Sequence, residues 1–289
     1  MKKNITGHTT LTALLGSPVS HSISPMMHNE AFLQLGLDFA YLAFDVDLNH
    51  LKSAVDGLKT LGCRGFNCTM PHKTLVCEYV DELSEAAKMI GAVNTVVNDN
   101  GKLIGHNTDG IGYMQSVKSA GFDIIGKNMT LLGTGGASTA ICVQAALDGV
   151  SQINIFNRKG KSFDKAKNLV DRINQKTNCK VSLYDLADTT TLQSSLKNSH
   201  ILTNGTSVGM APNINESIIT DKTMLHETLI VSDVIYNPEE TLLLRLAKES
   251  GCHTMNGLYM LLYQGAEAFK LWTNQEMPVE LIKKKYFDR

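Results

Sequence analysis

The apolar run at 129–132 breaks into Gly133-Thr134-Gly135-Gly136, and a helix-length apolar segment at 137–147 leaves that turn. A strand that enters a glycine-rich turn and a helix that leaves it form the first half of a βαβ unit. Such a unit commits its neighbourhood to parallel strands joined by crossover helices. The same rhythm continues downstream, with strands expected at 153–156, 180–184, 200–204 and 229–233 and a helix over 163–175. This half of the chain therefore reads as a doubly wound parallel sheet.

The preceding half alternates strands and helices less regularly. Strands are expected at 11–16, 39–45, 64–69 and 92–97, and helices at 25–35, 48–61 and 82–90. Ser24 reads as an N-cap, with Pro25 at the first helical position and Gly36 just past the end. Asn98-Asp99-Asn100-Gly101 separates 93–97 from 102–105 as a hairpin turn. Two further helices are expected at 258–273 and 279–287. With about 150 residues per domain as a prior, the 289 residues suggest two domains. The predicted fold class is α/β, an N-terminal α/β domain over 1–108 followed by a Rossmann-like doubly wound domain over 109–257. The helices of 258–289 are candidates to pack back on the first domain.

Composition removes several function classes. The 27 Lys+Arg nearly balance the 28 Asp+Glu, so no overall field favours nucleic acid or an anionic membrane surface. No apolar run approaches the ~18 residues of a spanning helix. The two lysines of MKKNITGHTT have no apolar stretch behind them, so no secretory leader is expected. The six cysteines include no CxxC pair, so no metal site is expected, and reduced thiols in a cytoplasmic protein are.

Four stretches carry candidate chemistry. In the glycine turn, Gly133 would make the tight bend and Gly135 would let main-chain amides approach a pyrophosphate. Gly136 and Ala137 then open a helix whose N-terminus favours anions. Ser138 replaces the third glycine of the dinucleotide fingerprint. The next strand ends Asn157-Arg158-Lys159-Gly160-Lys161 with no carboxylate for a ribose 2′-hydroxyl. A guanidinium suits a 2′-phosphate, which favours NADP over NAD; a solvated basic loop is the plain alternative. Ser22 and Ser24 precede a helix, and capping accounts for one hydroxyl while Ser22 remains for a ligand. In Thr69-Met70-Pro71-His72-Lys73, Pro71 is expected to open a helix with Lys73 in its first turn. A cation is disfavoured there by ~0.3–1 kcal/mol. A local rule broken without compensation marks a functional residue as readily as a snorkelling surface lysine. Asn94-Thr95 and Asn107-Thr108-Asp109-Gly110 complete the set. Asp109 reads either as a helix-start carboxylate or as a partner for Lys73 or a substrate hydroxyl.

Taken in order, these stretches resemble the shikimate dehydrogenase family over nearly the whole chain. The resemblance is carried by Gly16-Ser17-Pro18-Val19, His21-Ser22-Ile23-Ser24-Pro25, Asn67-Cys68-Thr69-Met70-Pro71-His72-Lys73 and Gly91-Ala92-Val93-Asn94-Thr95. It continues through Asn107-Thr108-Asp109-Gly110, Gly133-Thr134-Gly135-Gly136-Ala137 and Gln264-Gly265-Ala266. Asn204-Gly205-Thr206-Ser207-Val208-Gly209-Met210 and residues 259–268 are similar to the quinate/shikimate branch. That branch can carry an acid about where Gly160 stands, which leaves NAD and NADP both open.

The resemblance implies reversible NAD(P)-linked reduction of 3-dehydroshikimate to shikimate in chorismate biosynthesis, with quinate a candidate second substrate. Ser22 and Ser24 would hold the substrate carboxylate; Thr69, Asn94, Asp109 and Gln264 would bind ring hydroxyls. Lys73, paired with Asp109, would transfer the proton. Gly133, Thr134, Gly135, Gly136, Ala137, Asn157, Arg158 and Lys159 would contact the dinucleotide. Tyr41 and Tyr236 are further candidates for substrate contact, and Gly257 for the nicotinamide end. The two domains would flank a cleft, and a homodimer is a candidate assembly. Two rival readings are a non-catalytic sensor of shikimate and nucleotide, and another NADP-linked dehydrogenase on the same fold. Retention of Lys73 with Asp109 argues against the first, and the Ser22/Ser24 pair against the second.

Overall fold

The computed structural model describes residues 5–288. These form two compact units, one running to residue 108 and resuming at 262, the other spanning 109–261. The first unit is built on β1 (Thr10–Gly16), α1 (Ser24–Gln34), β2 (Phe39–Asp45), α2 (Leu51–Thr60), β3 (Gly65–Cys68), β4 (Glu82–Leu83), α3 (Glu85–Ile90), β5 (Thr95–Asp99) and β6 (Lys102–His106). Its sheet has the order β2-β1-β3-β5-β6-β4, parallel from β2 through β3 and antiparallel across β3, β5 and β6. Leu51, Val55 and Leu58 recur at helical spacing along α2 and are buried with Ala13, Leu15, Phe66 and Val96. Each such side chain contributes roughly 1.5–3 kcal/mol on burial. Ser84 caps α3, its Oγ accepting from the Ala87 N–H at 3.2 Å, which separates β4 from a helix that the sequence pattern runs together as 82–90.

Local expectations fail at two of the candidate stretches. Pro71 opens no α-helix: residues 70–74 form turns, and a short 3-10 segment follows at Leu75–Glu78. The macrodipole argument for Lys73 therefore has no helix behind it. Ser24 is not the N-cap of α1 but a residue of its first turn; Ile23 occupies the cap with no side-chain bond. The hydroxyl that serves this end is that of Ser22, which accepts from the Ser24 N–H at 3.2 Å.

The second unit contains α4 (Asp109–Ser119), β7 (Asn128–Leu132), α5 (Gly136–Asp148), β8 (Gln152–Asn157), α6 (Lys161–Lys176), β9 (Lys180–Asp185), α7 (Thr189–Lys197), β10 (Ile201–Asn204), β11 (Ile230–Asp233), α8 (Leu242–Glu249) and β12 (His253–Met255). All six strands are parallel, in the order β12-β11-β10-β7-β8-β9. Chain order reverses between β7 and β10, and ligands of doubly wound sheets bind at the strand ends beside such a reversal. The sequence reading lacks α7, α8 and β12. The polar TTTLQSSLK of α7 has little apolar period, yet Asp188 caps it by accepting from the Thr191 N–H at 3.0 Å.

The last helices are α9 (Leu258–Thr273) and α10 (Val279–Tyr286). From Leu262 onward they belong to the first unit, four residues beyond the boundary expected at 257/258. Trp272 fixes α9 there. It is fully buried, its Nε1–H donates to the Val96 carbonyl at 3.0 Å, and a Cβ at Gly65 would collide with its indole. Among the described residues no helix is long and apolar enough to cross a membrane.

Candidate active site

In the first unit, polar side chains converge at the ends of β3 and β5. Tyr41 is fully buried in β2, and its hydroxyl donates to Asn67 Oδ1 at 2.8 Å and interacts with the Ser24 hydroxyl. Asn67 Nδ2 donates to the Asn94 carbonyl (3.0 Å) and to Thr95 Oγ1 (2.9 Å). Asn94, immediately before β5, bonds Thr108 through both ends of its amide. It also reaches Gln264 Oε1 on α9, 170 residues away, at 3.3 Å. Ser24, Asn94 and Gln264 are thus brought into one array, and Tyr41 and Asn67 join them. Burial in this array pushes the Tyr41 phenol well above its ordinary value.

Thr69 and Lys73 follow β3 and are half-buried. The Thr69 N–H donates to the Leu15 carbonyl at 2.9 Å, which ties the turn to β1. The Lys73 carbonyl accepts from the Val93 N–H at 2.7 Å, and its charge acts on the Cys68 thiol. Behind the array, the His28 imidazole stacks on Tyr41 with centroids 4.5 Å apart and planes 9° apart. Neither His28 ring nitrogen has a hydrogen-bond partner, and burial pushes its pKa down to about 3. Asp109 opens α4 and is the first residue of the second unit. Its neighbour Thr108, held by Asn94, is the last residue of the first unit's leading segment.

The second unit holds the glycine turn. Gly133 has φ +94°, and a Cβ there would lie 2.5 Å from Thr206 Cγ2; only glycine takes this bend without strain. Gly135, the N-cap of α5, and Gly136 are different, because a Cβ at either would meet nothing within 4 Å. The Thr134 hydroxyl is buried and has no partner. Open main-chain amides at a helix start beside an orphaned hydroxyl fit the pyrophosphate of a dinucleotide. The clearance that the fingerprint's third glycine would give is transferred across the sheet. Ser138 is buried and donates to the Gly205 carbonyl at 2.9 Å, and a Cβ on Gly205 would overlap that hydroxyl.

At the end of β8, Asn157 Nδ2 donates to the Arg158 carbonyl and to Ser162 Oγ at 3.1 and 3.0 Å. Arg158 is exposed. Lys159 pairs with Asp185 at 3.4 Å, and Lys161 begins α6 rather than extending the loop. The expectation of no carboxylate near this strand end needs correction. Asp185 is Asn157's register partner on β9, so the acid arrives from the neighbouring strand. Tyr236 is exposed on the stretch after β11. Gly257 packs against the Val234 carbonyl and donates its N–H to Ile235 at 3.1 Å.

A carboxylate absent from the sequence reading organises this side. Asp233 is fully buried and accepts from Asn204 Nδ2 (3.1 Å), the Ile235 N–H (3.0 Å) and Thr241 Oγ1 (2.8 Å). Burial pushes its pKa up, and these donors oppose the rise. It ties the stretch bearing Tyr236 to the end of β10. No single-segment motif signals it, since its partners come from three elements. No group of three or more His, Cys, Asp or Glu that could hold a metal ion occurs among the described residues.

Comparison with known proteins bears on the whole chain. The family pattern "Shikimate dehydrogenase substrate binding domain" matches residues 14–96, and "Shikimate 5'-dehydrogenase C-terminal domain" matches 257–285. The chain is 54% identical to the Shikimate dehydrogenase (NADP(+)) of Listeria innocua, over 99% of this chain and 98% of that protein. It is 49% identical to the Quinate/shikimate dehydrogenase of Escherichia coli, over 97% of each. Its structure is similar to that of shikimate 5-dehydrogenase from Listeria monocytogenes in complex with shikimate and NAD. The TM-score is 0.96 at 53% identity, with 99% of each chain covered. Identity of this order over the full length, with both family patterns matched, means that the chain belongs to the shikimate dehydrogenase family.

Proposed function

We propose that the protein catalyses the reversible NAD(P)-linked reduction of 3-dehydroshikimate to shikimate, a step of aromatic amino acid (chorismate) biosynthesis. The carrying observation is the array that joins Ser24, Asn94 and Gln264 through Tyr41 and Asn67. Such a gathering of buried hydroxyl and amide groups suits a small polyhydroxylated acid. The first unit is then the substrate unit and 109–261 the dinucleotide unit.

Bound NADP or NAD supplies hydride exchange at the substrate's C–OH/C=O carbon. Lys73 acts as the proton-transfer residue at the reacting oxygen, in partnership with Asp109. Ser22 and Ser24 bind the carboxylate, which does not react. Thr69, Asn94, Asp109 and Gln264 bind ring hydroxyls, and Tyr236 adds a substrate contact. Gly133, Thr134, Gly135, Gly136 and Ala137 hold the pyrophosphate, and Asn157, Arg158 and Lys159 the adenosine end. Gly257 leaves room near the nicotinamide end.

Arg158 favours NADP, because its exposed guanidinium can pair with a 2′-phosphate. Asp185 supports NAD as a second reading, since it stands beside the same loop and already engages Lys159. Steady-state rates with NAD and NADP, each against shikimate and quinate, test the proposal. Turnover of shikimate with NADP at the higher kcat/KM is expected. No turnover with any pair would leave the sensor reading, and turnover of neither acid but of another alcohol the other-dehydrogenase reading.

We also propose a cytoplasmic homodimer. All six thiols are unpaired, as in a reducing compartment. β2 is an edge strand carrying exposed Leu42 and Phe44, and edges of this kind invite pairing with a second copy. Sedimentation of the wild type and of Leu42→Lys tests the dimer; a monomeric wild type would refute it.

A further inference from the structure

In the second unit, loops leave the ends of β10, β11 and β12 beside the reversal of chain order between β7 and β10, the edge at which doubly wound sheets bind ligands. One carboxylate joins these loops, and its two oxygens do separate work. Asp233 Oδ1 accepts from Asn204 Nδ2 at 3.1 Å and from the Ile235 N–H at 3.0 Å. Asp233 Oδ2 accepts from the hydroxyl of Thr241, the residue that caps α8, at 2.8 Å. The Oδ1 side reaches the glycine turn. The Thr206 N–H can only donate, and it meets Asn204 Oδ1 at 3.1 Å, so Asn204 turns Nδ2 toward Asp233 and the Val208 carbonyl. The Thr206 hydroxyl donates to the same Oδ1 at 2.7 Å and accepts from the Val208 N–H at 3.1 Å. Bound on both sides, it holds the Thr206 methyl toward Gly133, where a Cβ would lie 2.5 Å from it. On the other arm, the Ile235 carbonyl accepts from the Gly257 N–H at 3.1 Å, and the Val234 carbonyl fills the place of a Cβ on Gly257. Asp233, Asn204 and Thr241 are each 2% exposed or less, so water cannot replace a lost partner.

We propose that Asp233 is a positioning residue for the dinucleotide, whose Oδ1 locks the loops after β10 and β11 into one wall that joins the Gly133 turn to Gly257. The inference rests on the functional reading above, in which Gly133 holds the pyrophosphate and Gly257 leaves room near the nicotinamide end. A wall fixed at both points sets where the nicotinamide ring stands, although Asp233 itself is buried behind it and touches neither cofactor nor substrate. The adenosine end, at 157–159, takes none of these bonds. The Oδ2 bond serves only the start of α8.

The division of labour between the two oxygens makes the proposal testable. In Asp233→Asn the side-chain oxygen can take the Oδ1 position and keep both loop bonds, while the amide nitrogen faces Thr241 and only the tie to α8 changes. Asp233→Ala loses both ties, and Asn204→Ala breaks the loop tie from its other side. Affinities for NADP, adenosine 2′-monophosphate and shikimate are read by calorimetry below each variant's Tm, and kcat by steady-state kinetics. Both alanine variants are expected to weaken NADP roughly tenfold, the loss of one buried hydrogen bond. Their kcat should fall roughly 10²-fold, as displacement of a reacting group by about 1 Å does. Adenosine 2′-monophosphate, which has no nicotinamide end, and shikimate should each bind within twofold of wild type. Asp233→Asn should lower Tm yet bind NADP within twofold of wild type. Where one alanine variant does not fold, the other and Asp233→Asn decide. NADP affinity within twofold of wild type in the alanine variants overturns the inference while the functional reading stands. So does an equal loss of adenosine 2′-monophosphate in those variants, or an equal loss of NADP in Asp233→Asn. A wild-type chain that binds neither NADP nor NAD overturns both.

Discussion

Gly133 and Gly135 stand two residues apart in one turn, yet replacing each by alanine should fail in a different way. Gly135 has φ −73° and ψ −176°, a conformation any residue adopts, and its Cβ would touch nothing within 4 Å. Alanine at an N-cap costs about 0.5–1 kcal/mol relative to glycine. A less flexible unfolded chain returns about 0.4–1 kcal/mol, so the net change in stability is near zero. The new methyl stands where a pyrophosphate would approach the amides of α5. Loss of one charge-assisted N–H contact there, ~1.5–3 kcal/mol, lowers dinucleotide affinity by roughly 10–150-fold. Gly133→Ala instead combines a φ of +94° with overlap of Thr206 Cγ2 at 2.5 Å. Backbone strain alone is ~1–3 kcal/mol, and each kcal/mol lowers Tm by about 2–4 °C in a domain of this size. Thermal melts and NADP titrations of both variants separate the two effects. Gly135→Ala binding NADP within twofold of wild type, or melting as early as Gly133→Ala, would refute the reading of the turn.

Lys73→Ala should lower kcat by roughly 10²–10⁴-fold, the usual loss of a general acid/base, with shikimate affinity nearly kept; a kcat within threefold of wild type would exclude the proton-transfer role. Arg158→Ala should weaken NADP by about tenfold, ~1.4 kcal/mol, and leave NAD nearly unchanged when both are titrated at one ionic strength, whereas equal losses would assign Arg158 to the adenine or the loop. His28 is held neutral by burial, with its pKa pushed from 6.5 to about 3. The unfolded chain takes up the proton first as pH falls, so stability is full above pH 6.5 and declines by up to ~1.4 kcal/mol per pH unit between 6.5 and 3. His28→Phe should flatten the Tm profile between pH 6.5 and 5, and an unchanged slope there would show that His28 does not titrate in this way.

Much of the site could be read from local sequence because its parts lie where short-range rules operate. The glycine turn between β7 and α5 combines a strand, a positive φ and a helix start within eight residues. The apolar period of α2 likewise points Leu51, Val55 and Leu58 inward. Pairings made through register or tertiary contact were not legible. Asp185 reaches the basic loop because β9 lies beside β8, and nothing in 156–161 announces it. Ser138 looks like a defect in a fingerprint until Gly205 is placed opposite it. Pro71 is ambiguous for a related reason: Pro at a helix start and Pro in a turn share one local signature. Here the segment is held by bonds to neighbouring strands, Thr69 to β1 and Lys73 to Val93 before β5, so the turn prevails.

Trp272 and Gln264 lie beyond the whole of the second unit in the chain, yet both complete the first. During synthesis, at about 5–20 residues per second, the strands of residues 10–106 emerge long before the indole that fills the groove over Gly65. The second unit has all its residues by 261 and can close while the older half still waits. The His28 and Tyr41 rings pack on the Trp272 indole, so the aromatic cluster of the first unit lacks a member until Trp272 has been made. Residues made after the whole of the second unit therefore complete the unit that was begun first.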